Sequence, residues 1–109
     1  MESDYVGRLR RLAINEAGAG DEAVASGLES TSLNPKTLAL ARLAALVAIG
    51  AAEPSFGENA DAAVSAGASP DEIVDVLVGV SPIVGVPRVV AAAPKVALAL
   101  GHDLEDVVD

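Results

Sequence analysis

The sequence predicts an all-α protein that assembles into an oligomer, on three observations. Helix-start signatures built from Pro or Asn, Asp and Ser recur along the 109 residues, and they set the boundaries of apolar segments in which Ala dominates. Several of those segments are Val-rich enough to suit strands, but Ala and the caps favour helix. Finally, apolar residues make up 51% of the chain while aromatics supply only 2%, Tyr5 and Phe56 with no Trp. So much apolar surface on so small a chain is hard to hide in a monomer, and large exposed apolar patches mark interfaces.

Taken in order, Ser3 or Asp4 caps a first helix running to about Glu16, with Val6, Leu9, Leu12 and Ala13 as its apolar stripe. Arg8, Arg10 and Arg11 occupy its remainder, as a solvated face or as subunit salt bridges. Gly18 and Gly20 stop it. Asp21 then caps a short second helix, with Val24 and Leu28 inward, ending near Ser30 to Ser32. Asn34-Pro35 is the strongest start signal, an N-cap followed by Pro at the first helical position. The helix it opens runs to about Ala51, with Lys36, Thr37 and Arg42 as its polar residues. Being apolar all round, it is expected to be buried on every side, a central strut.

Glu53-Pro54 ends that strut, and Pro54 or Ser55 begins a helix closed by Gly67, with Phe56, Ala60, Ala63 and Val64 toward the core. Ser69-Pro70-Asp71-Glu72 reads as a capping box for a helix over Pro70 to Val80 that buries Ile73, Val76 and Leu77. Ser81-Pro82 and Gly85-Val86-Pro87 break the pattern. A last helical region, Arg88 to Leu100, is expected to be kinked or divided at Pro94, and an acidic tail follows Gly101. The expectation is one domain over the whole chain.

Sixteen acidic against seven basic residues give a net charge of −9. This balance argues against nucleic acid, because no basic patch neutralises phosphates, and against an anionic membrane surface. The chain has no cysteine, hence no thiolate metal site and no redox thiol. With one His and no carboxylate cluster at ligand spacing, no metal or other cofactor is expected. The start Met1 to Asp4 is acidic and unlike a signal peptide. The longest apolar run, Leu43 to Ala52, is about half of the roughly 20 residues a membrane span needs. The expected location is cytoplasmic.

Leu33-Asn-Pro-Lys-Thr37 before an apolar helix, then Ala62-Ala-Val-Ser-Ala-Gly-Ala68, Ser69-Pro-Asp-Glu-Ile73 and Gly85-Val-Pro87 follow one another over Leu33 to Ala93. In order and spacing this resembles the carboxymuconolactone decarboxylase family, which includes the alkylhydroperoxidase AhpD-like proteins. The resemblance implies an AhpD-like helical bundle assembled as a trimer or hexamer, with an active site between helices near a subunit interface. In the peroxidase-like members it implies Cys-x-x-Cys and, four residues later, His. Those positions fall here on Ala52, Ser55 and Asn59. A thiol peroxidase needs an attacking and a resolving thiol, so thiol peroxidase activity is not expected. The Tyr common in the family before Gly-x-Pro falls on Ile83, and the acid of the early central helix is missing between Thr37 and Leu43.

The decarboxylase branch does not need the thiols. What remains around the family's pocket is Arg42, Ser55, Glu58, Asn59 and Arg88. Arg42 stands alone inside an apolar helix, where an unpaired buried charge would cost several kcal/mol; it is a salt bridge to Glu58 or another subunit, or else a carboxylate anchor, since guanidinium grips carboxylates bidentately. Arg88 serves the same anchoring role or caps a helix. Glu58 is the candidate proton carrier, or simply exposed helix surface. Ser55 is a cap or first-turn residue without a His base, and Asn59, which does not titrate near neutrality, hydrogen-bonds a ligand or a neighbouring helix. His102 lies beyond the last helix with nothing to orient it. The resulting reading is a cofactor-free decarboxylase or lyase for a small carboxylated lactone or related acid. Glu58 and Asn59 are its catalytic candidates, and Arg42, Ser55 and Arg88 the substrate-binding ones. The alternative is a non-catalytic binding or assembly protein with a degenerate site.

Overall fold

The computed structural model describes residues 4–14 and 31–104. Among these the chain forms helices α1 (Tyr5–Ile14), α2 (Pro35–Ile49), α3 (Glu53–Ser65), α4 (Pro70–Val84) and α5 (Val86–Ala99), and no strand. The chain divides into two compact units, Met1–Ser32 and Leu33–Asp109. Their boundary coincides with the expected start of the family-like core at Leu33. The short helix expected from Asp21 lies outside the described residues.

In the first unit, the Asp4 carboxylate accepts the Gly7 N–H at 3.1 Å, so Asp4 acts as the expected cap. Helix α1 buries none of its residues. Its stripe of Val6, Leu9 and Leu12, with Tyr5, is more than half exposed.

The second unit packs α2, α3, α4 and α5 around one core. Asn34 Oδ1 accepts the Thr37 N–H at 2.8 Å with Pro35 at the first helical position, so α2 starts where the caps predict. It stops at Gly50, whose φ of 69° is left-handed; the Gly50 N–H goes to Val47 and the Ala51 N–H to Leu46, the paired closure of a Schellman end. Burial of α2 differs from expectation. Only Ala39, Leu43 and Val47, one stripe at four-residue spacing, are buried, while Ala41, Arg42, Ala45, Ala48 and Ile49 are exposed. Three neighbouring helices cover one side of α2, and a small domain has no further layer to cover the other.

Helix α3 is the better buried element: Phe56, Ala60 and Ala63 have no exposed surface. Val64, expected inward, stands 47% exposed, because the Phe56–Ala60–Ala63 stripe points elsewhere. The helix closes through Ala68 N–H to Ala63 and Gly67 N–H to Val64, with Gly67 at φ 99°. Five of the core residues, Ala39, Ala60, Ala63, Ala68 and Ala92, are alanines. They let helix axes approach closely around the few large side chains, Phe56, Leu43, Ile73 and Val47.

The capping box of α4 forms as read: Ser69 Oγ accepts the Glu72 N–H at 3.0 Å and Glu72 Oε1 accepts the Ser69 N–H at 2.9 Å. Glu72 also pairs with Lys36 at 2.7 Å, tying the start of α4 to the start of α2. The predicted stop at Val80 is wrong by a turn, since α4 continues through Pro82 to Val84. Proline removes the N–H that the Val78 carbonyl would accept. The Ser81 hydroxyl donates to that carbonyl at 2.9 Å instead, and Pro82 itself is exposed. Helix α5 likewise runs from Val86, earlier than expected, as one helix through Pro94.

Candidate functional site

The positions at which the resemblance implies thiols and imidazole occupy the first two turns of α3. Ala52 is its N-cap residue and makes no side-chain cap bond; Ser55 is the third helical residue. A helix N-terminus favours a thiolate, so the location suits the chemistry of the peroxidase-like members, and Ala and Ser remove it. Asn59 lies one turn beyond Ser55, and its Nδ2 donates to the Ser55 carbonyl at 2.9 Å. This joins Ser55 and Asn59 into one patch and leaves Asn59 its Oδ1 and a second N–H. Glu58 beside them is exposed.

Arg42 does not join this patch in the way expected. No polar or charged residue is buried among the described residues, and Arg42 is exposed on α2 without an ion pair to Glu58. Solvent reaches the guanidinium because that side of α2 is uncovered, so the cost of an unpaired buried charge does not arise. Arg42 also stands eight residues before Gly50, roughly 12 Å along the helix axis.

Arg88 is placed more pointedly. From the first turn of α5 its guanidinium lies over Gly50, where any Cβ would collide with it. Gly50 is thus required by its left-handed φ; the exposed Arg88 side chain, clashing only through its far end, would have to swing aside for a Cβ. Seven residues on, Lys95 Nζ donates to the Ala51 carbonyl at 2.9 Å across 44 residues of sequence. Two cations of α5 therefore meet adjacent residues at the C-terminal end of α2, where the helix dipole and its outward carbonyls favour positive charge. Sequence reasoning missed Lys95. The signal was present: it is the lone charge between Val89 and Leu100, as Arg42 is between Thr37 and Ile49. His102 is exposed, and its backbone N–H closes α5 onto Ala97 at 2.8 Å.

The features together define a cysteine-free helical domain with a cationic corner at the α2–α3 junction. The model of the carboxymuconolactone decarboxylase family matches residues 15–98, more than half of the chain, and this protein belongs to that family. Neither the curated proteins nor the solved structures gave a match.

Proposed function

We propose that this protein binds a small carboxylated lactone or related acid at the α2–α3 junction and acts on it as a cofactor-free lyase of the carboxymuconolactone decarboxylase type. The observation that carries this reading is that the exposed Arg88 guanidinium lies against Gly50, two residues before Ala52, the first of the positions where the resemblance implies the family's chemistry. Arg88 grips the substrate carboxylate, and Arg42 is the second candidate for that role. The bond from the substrate carbon to its carboxylate breaks, carbon dioxide leaves, and the electron pair is delocalised toward the lactone carbonyl. Glu58 carries the proton delivered to that carbon. Asn59, oriented by Ser55, supplies a hydrogen bond to the developing enolate oxygen. The chain offers no thiolate for peroxide reduction.

The protein works as a homo-oligomer in this reading. Val78 (66% exposed), Ile83 (87%), Val86 and Val90 crowd the α4–α5 corner, and Arg88 is the one charged residue from Val78 to Pro94. A second copy covering this surface would place a subunit boundary beside Arg88.

Turnover of a carboxylated lactone, followed by carbon dioxide release, tests the catalytic step. Wild-type protein should turn it over, and Glu58→Gln should stop turnover while leaving thermal stability in place. Equal rates in the two would remove Glu58 from the mechanism. A second reading, a non-catalytic assembly protein, is favoured by the Asn59 side chain being hydrogen-bonded to its own helix; it predicts no turnover from a stable oligomer.

A further inference from the structure

The other flank of α3 carries a separate feature. At about 100° per residue, Ser55 and Asn59 fall on one side of the buried Phe56–Ala60–Ala63 stripe, and Gly57 falls on the opposite side. There, between the start of α3 and the end of α5, lies an open groove of about 370 Å³ lined by Glu53, Pro54, Gly57, Lys95, Leu98 and Ala99. Its volume falls in the roughly 300–1,000 Å³ range of small-ligand sites.

Two observations point to a ligand. Gly57 sits inside a helix with no left-handed φ, and a Cβ added there would meet nothing within 4 Å. Neither backbone conformation nor close packing requires glycine, although glycine weakens a helix relative to alanine. What the missing side chain does provide is an open groove wall. Secondly, Glu53 and Lys95 line the same groove with opposite charges and form no ion pair with each other. Lys95 uses one of its three N–H donors on the Ala51 carbonyl, which fixes the ammonium in place with two donors left.

We propose that this groove binds a small zwitterion with an aliphatic body, of the aliphatic amino acid class. Lys95 takes the carboxylate, Glu53 takes the ammonium, and Pro54 with Leu98 packs against the side chain. The open wall at Gly57 admits the ligand backbone. This site shares Lys95 with the corner at the α2–α3 junction but does not use Arg88.

The test is titration calorimetry of the full chain with leucine, with 4-methylpentanoate, which lacks the amine, and with 3-methylbutylamine, which lacks the carboxylate. Leucine should bind about tenfold more tightly than either analogue, the effect of one charge pairing. Glu53→Gln should remove the preference for leucine over 4-methylpentanoate. Gly57→Ala provides the control against misfolding: it should raise the melting temperature by strengthening α3 while weakening leucine binding by about tenfold. Leucine binding no tighter than both analogues, or undiminished in Gly57→Ala, would overturn the proposal.

Discussion

At the scale of single residues, the second unit depends on a few side chains set among alanines. Phe56 is its one core aromatic and has no exposed surface. Phe56→Ala should cost about 3–5 kcal/mol, measured as a shift in the urea midpoint, and a loss below about 1 kcal/mol would mean the core collapses around the gap. Gly50→Ala should be destabilising although alanine favours helix elsewhere, because φ is 69°, in the left-handed region. Gly50→Ala combined with Arg88→Ala should recover little of the loss, since the exposed guanidinium swings aside while the left-handed φ stays. Glu72 supplies a pH signature. Its hydrogen bond with Lys36, then the Ser69 N–H, holds the carboxyl below its ordinary value of 4.5. A depressed native pKa contributes stability that is present above the unfolded-state value and fades as pH falls through the native one. The stability gap between wild type and Glu72→Gln should therefore narrow as pH drops below about 4.5; a gap constant from pH 7 to 3 would contradict the assignment.

At the scale of helices, starts were legible and stops less so. Asn34-Pro35 and Ser69-Pro70-Asp71-Glu72 are local codes: the cap side chain bonds to N–H groups three residues away, so sequence alone contains the interaction. Pro82 misled because its effect is decided by what satisfies the Val78 carbonyl, and Ser81 does so from within the same turn. Tertiary placement was the less legible part. Arg42 and Lys95 are each a lone charge in an apolar segment, yet Arg42 faces solvent while Lys95 reaches across 44 residues to Ala51. Nothing local distinguishes them, because the difference lies in which helix packs alongside. Lys95→Met should cost about 1.5–3 kcal/mol, the range for a hydrogen bond to a charged group. Hydrogen exchange should quicken first at the α2–α3 junction, and uniform quickening across the unit would argue against a local staple.

At the scale of the whole molecule, no helix among the described residues is long and apolar enough to cross a membrane, and Val78, Ile83, Val86 and Val90 stand exposed. α2 read as a strut buried on all sides, and its uncovered face, with the α4–α5 corner, is what such a pattern leaves in a single chain. The all-α class and the family were legible because caps and helix periods are local. Of the candidate site, the α3 positions and Arg88 were legible in the sequence, while Lys95 was not, since which side chain of α5 reaches the end of α2 depends on how the helices pack. If a second copy covers the α4–α5 corner, Val90→Asp should convert the oligomer to a smaller species by light scattering with helicity unchanged. An unaltered mass would place the interface elsewhere.

Whether Arg88 holds a carboxylate at the α2–α3 junction is decided by thermal shift against carboxylated lactones. The assay compares wild type with Arg88→Ala on material of known assembly state. A ligand at a hundred times its Kd stabilises by about 2.7 kcal/mol, readily seen in a chain this short. The account predicts a rise in melting temperature that requires the ligand carboxylate and disappears in Arg88→Ala. An equal rise in both proteins, or none in the wild type, would contradict it.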